Sequence, residues 1–343
     1  MESGPLEHIA SPVSGDKLLL VKYSALGDVV NVTSVLSCLR HHFPDLRISW
    51  LLASEYVPLM EGQGLADKII SWDRREGLRG FLNILEKIRR EKFDWFLDMQ
   101  WVDRSAVIAF FSGASTKVGY HKSLSWIYGR SPGAKWNDNL PLLQRQGVVV
   151  EGLGVNDCHK FPPVLLPPSC DNVTVDLLRK ENVPVILGII GASRPHKRWP
   201  VVNWIKFLRM ASDNGYRVAI TGAGKDEREM ADSIVKGLEG RQVIDLVGKL
   251  DLPGLAKAMS LCSGVVGGDT GPLHMAVALN VPTVALFGPT PFHSAFAGGP
   301  HSMVLCCSCP MKGCKNWQCP NVECLGDISP ERVFESLSGL LRL

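Results

Sequence analysis

Three short stretches of this chain carry side chains whose types and spacing suit the binding of a charged group. GGDTGPLH, at 267–274, has glycines for a sharp turn and Pro272 at the first position of a helix. Amides at such a helix N-terminus attract an anion, of which a phosphate or diphosphate is the simplest. GASRPHKRWP, at 191–200, is a basic loop before a second helix. YSALGD, at 23–28, places Asp28 at the start of a third.

Each stretch follows a short apolar run that is typical of a buried strand, at 265–266, 185–190 and 18–22 respectively. Carboxyl ends of parallel strands meet at one edge of a sheet, and ligands of such sheets bind there. The sequence lacks both G-x-G-x-x-G after its first strand and a P-loop motif, which argues against a standard dinucleotide or P-loop site.

Strand and helix patterns alternate along the chain, which predicts doubly wound α/β domains. The proline-rich run 161–168 separates two halves. The predicted parts are a flexible tail at 1–15, a first domain at 16–165, a second domain at 166–329 and a final helix at 330–343. Residues 112–150 are polar and irregular, and their basic and aromatic side chains could bind an anionic ligand or form a solvated loop.

The composition is that of an ordinary globular protein, with 45% apolar and 21% charged residues. A net charge of +3 is too small to indicate a nucleic-acid partner. No apolar run reaches the roughly 18 to 20 residues that span a bilayer. The first fifteen residues lack the basic and apolar regions of a signal peptide. We therefore expect a cytoplasmic protein that contacts the inner membrane only at its periphery.

Together the motifs resemble those of the ADP-heptose:lipopolysaccharide heptosyltransferases, glycosyltransferase family 9. The matching segments are K-x-S-x-L-G-D-V at 22–29, G-x-S-R-x-x-K-x-W-P at 191–200 and G-G-D-T-G-P-x-H at 267–274. The resemblance implies a GT-B fold of two facing Rossmann-like domains with the active site in the cleft. The domain at 16–165 would bind an anionic sugar acceptor, the domain at 166–329 would bind the nucleotide sugar, and the helix at 330–343 would return to the first domain. The resemblance also implies inverting transfer of a heptose from ADP-heptose to a hydroxyl of the lipopolysaccharide core or a related glycan.

The same resemblance implies roles for individual residues. Asp28 matches the proposed catalytic base, although a helix N-cap is the alternative, and Lys197 matches the cation that stabilises the ADP leaving group. His274 could instead be a core histidine. Because no D-x-D motif is present, no catalytic metal is expected. The implied substrate-binding residues are Ser193, Arg194, Asp226, Glu227, Leu250, Asp269, Thr270, Gly271, Pro272 and His274.

Six of the ten cysteines crowd into the segment 306–324, named here the Cys-rich segment. Thiolates at such intervals can converge on one tetrahedral ion. The predicted ligands of a structural zinc or iron are Cys306, Cys309, Cys314 and Cys324, with metal-free thiols and disulfides as alternatives. The remaining cysteines, Cys38, Cys158, Cys170 and Cys262, suggest no special role. The predicted metal would stabilise the fold.

Two other functions remain open at this stage. One is the same fold acting on another nucleotide sugar or on a protein acceptor. The other is a non-catalytic binding protein whose thiol cluster serves a partner. The joint presence of Asp28 and Lys197 favours the enzyme.

Overall fold

The computed structural model describes residues 11–169, 173–320 and 324–342, so residues 1–10 of the predicted tail lie outside the described residues. The chain divides into two compact units, Met1–Pro163 and Val164–Leu343. Each contains one sheet in which every described strand pair is parallel. The predicted α/β class with two parallel-sheet domains is confirmed. None of the helices in these ranges combines the length and apolarity needed to cross a membrane.

The sheet of the first unit has the strand order β3-β2-β1-β4-β5. Its strands are β1 (Lys17–Val21), β2 (Arg47–Ala53), β3 (Lys68–Trp72), β4 (Trp95–Asp98) and β5 (Thr116–Val118). Its helices are α1 (Leu26–Asn31), α2 (Thr33–His42), α3 (Val57–Met60), α4 (Gly77–Glu91), α5 (Asp103–Phe111) and α6 (Leu142–Val150).

The region 112–150 is more regular than predicted, since it contains β5 and α6. Helix α6 has the sequence LLQRQGVVV, in which a glycine and three consecutive valines lower intrinsic helix propensity. Tertiary packing outweighs that propensity, because Leu142, Val149 and Val150 are buried.

Cys38 and Cys158 form a disulfide, which corrects the prediction that neither has a special role. The bond joins α2 to a segment 120 residues later in the chain. Beside it, Nε2 of His42 lies 2.7 Å from Oδ1 of Asp157. Such a long-range pairing leaves no signal in local sequence spacing.

The sheet of the second unit has the order β11-β10-β9-β6-β7-β8. Its strands are β6 (Val185–Ile189), β7 (Arg217–Thr221), β8 (Val243–Asp245), β9 (Gly264–Gly268), β10 (Thr283–Phe287) and β11 (Ser302–Cys306). Its helices are α7 (Val173–Asp176), α8 (Val201–Asp213), α9 (Lys225–Gly237), α10 (Leu252–Ser260), α11 (Gly271–Ala278), α12 (Phe292–Ala295) and α13 (Pro330–Leu340).

Helix α13 belongs to the second unit. Its buried face contributes Val333, Leu337 and Leu340 to the same core cluster as Trp204 of α8. A fully buried apolar stripe of this kind stabilises by roughly 2 kcal/mol for each large side chain. The helix therefore completes the core of its own unit.

The two sheets share a topology that decides where ligands bind. In each, the strand order reverses beside the first strand, between β1 and β4 and between β6 and β9. A parallel sheet binds ligands at such a switch point, outside the carboxyl ends of its strands. Asp28 follows β1, whereas Lys197 follows β6 and Asp269 follows β9. All three thus lie at switch points.

Candidate active site

An ion pair spans the switch point of the second unit. Lys197 ends a short 3-10 turn, Pro195–Lys197, in the loop after β6, and its Nζ lies 2.5 Å from Oδ2 of Asp269. The side chains are only 18% and 11% exposed. This ion pair brings the motifs GASRPHKRWP and GGDTGPLH together, as their positions after parallel strands predict.

The carboxylate of Asp269 is held ionised by its neighbours. Burial alone would raise its pKa, but His274 and the ammonium of Lys197 lower it from 3.8 to about 2. The folded-state pKa is below the unfolded one, so the pair contributes stability above pH 4 that is lost as the pH falls towards 2. Near neutrality Asp269 is therefore a fixed anion that orients Lys197.

The N-terminus of α11 opens beside this pair. Thr270 is its N-cap residue, and the hydroxyl of Thr270 is buried without a hydrogen-bond partner among the described residues. Gly271 and Pro272 form the first turn. A Cβ on Gly268 would come within 2.3 Å of the Lys197 carbonyl oxygen, so the glycine is needed for the close approach of the two loops. A helix N-terminus and a cation thus lie next to the same residue, Asp269, an arrangement suited to a diphosphate.

The acids Asp226 and Glu227, predicted to bind substrate, contact an arginine of the basic loop. Arg198 Nη1 lies 3.0 Å from Oδ2 of Asp226, and its Nη2 lies 3.9 Å from Oε1 of Glu227. Its Nε also donates to the carbonyl of Ala192 at 3.0 Å. Arg198 therefore joins the loop after β6 to the first turn of α9. This function of Arg198 is not evident from the sequence, because a basic turn does not reveal its partner.

The other predicted donor-site residues lie around these contacts. Ser193 and Arg194 are exposed in the loop after β6, in the segment that also carries Lys197. Leu250 is half-buried in the turn after β8, which is the edge strand of the sheet. The structure thus places the loop after β6 near α11, whereas Leu250 lies at the edge of the sheet.

In the first unit, Asp28 lies in the first turn of α1. The N-cap position is occupied by Ala25, so the alternative that Asp28 caps the helix is wrong. Its side chain is 51% exposed, and its Oδ2 lies 3.3 Å from Nζ of the buried Lys22. The carboxylate is thus accessible and has a cationic neighbour, as a base that acts on a bound hydroxyl requires.

Asp28 lies in a cleft of about 450 Å³ that the first unit forms by itself. Its most distinctive wall is aromatic: Trp136 stacks on Tyr120 with ring centroids 3.9 Å apart and meets Trp101 edge-on at 4.7 Å. The cations of Lys22 and Arg145 lie 5.7 and 5.6 Å from the centroid of Trp101. The cleft therefore offers flat apolar faces, three cationic side chains (Lys22, Lys122 and Arg145) and two carboxylates (Asp28 and Asp138).

The loop after β4 is hydrogen-bonded to the segment between β1 and Asp28. Fully buried Asp98 accepts hydrogen bonds from the amides of Gln100 and Trp101 at 2.8 and 3.1 Å, and its burial raises its pKa. Oε1 of Gln100 in turn accepts from the amides of Tyr23 and Ser24 at 3.1 and 3.2 Å. Trp101 and Asp28 are consequently positioned by one hydrogen-bond network.

The basic patch predicted within 112–150 is divided by the structure. Tyr120, Lys122 and Trp136 line the cleft. Lys117 and Lys135 instead contact Ala114 and Glu151 respectively, away from the cleft. Part of this region therefore lines the cleft and part of it does not. Trp101 and Arg145 were not predicted, since they come from separate segments and match no contiguous motif, and Lys22 was given no role although it is the first residue of K-x-S-x-L-G-D-V.

A model of glycosyltransferase family 9 (heptosyltransferase) matches residues 81–324, well over half of the 343-residue chain. This chain belongs to that family. It is therefore a glycosyltransferase, as the resemblance of its motifs implies. The match includes the Lys197 and Asp269 loops, the aromatic cleft wall and the whole Cys-rich segment.

Individual relatives extend the similarity to nearly the whole chain of this family 9 glycosyltransferase. Lipopolysaccharide heptosyltransferase 1 of Pseudomonas aeruginosa is 24% identical, covering 95% of this chain and 98% of the relative. A family 9 glycosyl transferase from Veillonella parvula has a TM-score of 0.84 at 23% identity, covering 97% and 99% of the two chains. The E. coli ADP-heptose lps heptosyltransferase II has a TM-score of 0.76 at 20% identity, covering 95% and 98%.

The glycosyltransferase also has a cavity of about 390 Å³ beside the loop after β10, lined by Cys307, Cys309, Cys314, Cys319 and Cys324. Cys306, one of the predicted ligands, is not among the lining residues, because it ends the unpredicted strand β11. Successive side chains in extended backbone point to opposite sides. Burial, then the charges of the four other lining cysteines, raise the pKa of Cys324. Among the described residues, no three of these sulfur atoms lie within 4.8 Å of one another.

Proposed function

We propose that this protein is an inverting heptosyltransferase that moves a heptose from ADP-heptose to a hydroxyl of a lipopolysaccharide-core or related glycan acceptor. The observation that carries the proposal is the Lys197–Asp269 pair beside the N-terminus of α11. Family membership and the names of the relatives support the donor and the acceptor.

On the donor side, the β-phosphate of ADP gains negative charge as the glycosidic bond breaks. Lys197, held in place by Asp269, and the free amides at Thr270 and Gly271 are suited to stabilise that charge. Asp269 accordingly orients the lysine. Asp226 and Glu227, both beside Arg198, are our candidates for the ribose hydroxyls.

On the acceptor side, Asp28 would accept the proton of the attacking hydroxyl as the new bond forms. Attack from the face opposite ADP inverts the anomeric centre. The stacked rings of Trp136 and Tyr120 are suited to pack on a sugar ring, and Lys22 and Arg145 are suited to an acidic substituent. This combination favours an acidic sugar as the acceptor.

The donor assignment can be tested by thermal shift with ADP, UDP, GDP and NAD. A ligand that binds only the folded state raises the melting temperature in proportion to its affinity. Stabilisation by ADP alone is expected, whereas stabilisation by NAD alone would overturn the proposal. Mass spectrometry of the product from ADP-heptose and an inner-core oligosaccharide tests the transfer itself.

The acceptor cleft predicts a selective effect of Trp136→Ala. Loss of the stacked ring should raise the acceptor KM about tenfold, within the roughly 1–3 kcal/mol attributed to a ring that stacks on its ligand. The KM for ADP-heptose should stay unchanged, because the substitution lies in the first unit. Steady-state kinetics with each substrate varied in turn measures both constants.

Trp126→Ala is the matched control, since this tryptophan is 68% exposed and is not among the residues lining the cleft. Equal effects of the two substitutions, or a change confined to the donor KM, would contradict the assignment of the cleft.

We further propose that the thiols around the second cavity hold one structural zinc or iron ion. The support is the chemistry of the lining, because zinc and iron accept thiolate ligands and five cysteines line one cavity, with Cys307 in place of Cys306. Their sulfur atoms would have to draw together around the ion. Such an ion would stabilise the Cys-rich segment, which has little regular structure. No step of the transfer requires it.

A pair of neighbouring substitutions tests the ligand set. Cys307→Ser is expected to reduce the metal content from about one ion per chain and to lower the melting temperature, because a structural site normally needs all four ligands. Cys306→Ser should retain the metal. Metal analysis by plasma emission spectrometry distinguishes them, and the reverse pattern would restore the set predicted from the sequence.

For the cellular site we propose the cytoplasmic side of the inner membrane, with peripheral contact. The proposal follows from family resemblance, since a lipopolysaccharide acceptor is lipid-borne. Cell fractionation with and without high salt distinguishes peripheral association from a freely diffusing protein.

A further inference from the structure

The Cys-rich segment touches the proposed donor loop through one tryptophan. Nζ of Lys197 lies 5.4 Å from the centroid of Trp317, and Cζ of Arg194 lies 5.9 Å from it. The ring of His196 meets Trp317 edge-on at 6.2 Å. Arg194, His196 and Lys197 of the loop after β6 thus share one aromatic neighbour from more than a hundred residues later.

A second contact ties the same two segments together. His196 is 95% buried, since only 5% of it is exposed, and its Nε2 lies 3.0 Å from the carbonyl oxygen of Cys319. Because a carbonyl only accepts, the imidazole donates this hydrogen bond. The loop carrying Lys197 is therefore bonded to the backbone of a cavity-lining cysteine.

The Cys-rich segment is also anchored on the other side of the proposed donor site. The amides of Gly313 and Lys315 each donate at 2.8 Å, to the carbonyls of Gly288 and Pro289 respectively. Gly288 and Pro289 form the loop after β10. The segment consequently connects loops at the carboxyl ends of β6 and β10.

Trp317 lies between two of the cavity cysteines, three residues after Cys314 and two before Cys319. The amide of Asn316 donates to Sγ of Cys314 at 3.4 Å, which closes a tight turn. A ligand that holds the sulfur atoms of Cys314 and Cys319 in place would therefore also restrict the position of the Trp317 ring between them.

We propose that Trp317 is a positioning residue of the donor site, and that the thiol cluster acts on donor binding through it. The ring forms one wall for the ammonium of Lys197, whose other contact is Asp269. A lysine has a long flexible stem, so a second wall restricts the direction in which its charge points. The Cys-rich segment is then part of the donor site and not only a stabilising element. This inference rests on the proposed ADP-dependent function.

Trp317→Leu tests the inference by calorimetry with ADP. We expect the dissociation constant to rise about tenfold, as loss of a partly desolvated cation–π contact predicts. The metal content should be unchanged. Trp317→Phe, which keeps an aromatic face, should stay within about threefold of the wild type. Gln318→Ala, at the exposed neighbouring position, should bind ADP like the wild type.

Chelation supplies a second comparison. Removal of the metal from the wild type should weaken ADP binding by a similar factor, but should weaken binding to Trp317→Leu little further. If Trp317→Leu does not fold, Trp317→Gln suits the half-exposed position and replaces it in the same comparison.

The possible failures are distinguishable. If the wild type itself does not bind ADP, the proposed function fails. If the wild type binds ADP and a folded, metal-containing Trp317 variant binds it equally well, the positioning role is overturned while the transferase proposal stands. An effect of chelation that is undiminished in the variant would overturn the coupling through Trp317.

Discussion

Replacing Asp28 by asparagine is expected to reduce kcat about a thousandfold, in the range of 10² to 10⁴ that general-base catalysis contributes. The amide keeps the shape of the carboxylate but cannot accept the proton of the acceptor hydroxyl. ADP binding should be unchanged, because Asp28 belongs to the first unit, whereas the donor loops belong to the second. Release of ADP from ADP-heptose in the presence of an inner-core oligosaccharide measures kcat, and calorimetry measures ADP binding.

Asp45→Asn is the matched control, since Asp45 is an exposed carboxylate of the same unit outside the cleft. It should retain full activity. If Asp28→Asn keeps more than about a tenth of wild-type turnover, the residue is not the base, as the lower bound for such catalysis is about a hundredfold. Equal inactivity of wild type and Asp28→Asn, with ADP still bound, would instead favour the non-catalytic binding protein.

Lys197→Met is expected to lower kcat/KM by about 10² to 10³, the usual effect of removing one group that stabilises charge in a transition state. The substitution also leaves Asp269 without its cation. Because that carboxylate is only 11% exposed, the free energy of unfolding should fall on the order of 2 kcal/mol, somewhat less than the roughly 3–5 for a fully buried pair. Kinetics and chemical denaturation measure the two effects separately.

The double variant Lys197→Met with Asp269→Asn separates these effects. Removing both charges should recover much of the lost stability, since no buried charge is left unpaired. Activity should stay low, because the cation that faces the leaving group is still missing. Lys206→Met, an exposed position on α8, is the matched control and should change neither quantity. Recovery of activity in the double variant would show that Lys197 acts only through fold stability.

The donor loops were predictable because their information is local. Each motif contains the strand end, the glycines and the polar residues within about ten positions, so the pattern of GGDTGPLH indicates both a turn and a helix N-terminus. The alternation of strands and helices similarly predicts parallel sheets. Since chemistry at a switch point uses strand ends, a correct strand also locates Lys197 and Asp269.

The acceptor cleft could not be predicted in this way. Its wall joins Trp101 from the loop after β4 with Tyr120 and Trp136, and its cations, Lys22, Lys122 and Arg145, come from three separate segments. Each of these residues is unremarkable among its sequence neighbours. They become a site only when side chains from separate segments pack within about 4–6 Å.

The Cys-rich segment shows a different limit of prediction from the sequence. Its composition predicts a thiol cluster, but one unpredicted strand, β11, decides that Cys307 and not Cys306 faces the cavity. A shift of one residue in extended backbone reverses the side to which a side chain points. The spacing of the cysteines alone therefore predicts the kind of site, but not which residues line it.

By itself the sequence determined the α/β class, the family, and the loops that carry Asp28, Lys197 and Asp269, because neighbouring residues encode turns, caps and strand ends. The tertiary structure alone decided the partners: Lys22 beside Asp28, Arg198 beside Asp226, Trp317 beside Lys197, and Cys38 bonded to Cys158. Such pairs depend on how elements pack across the core, and packing is a property of three-dimensional neighbours that no local pattern contains.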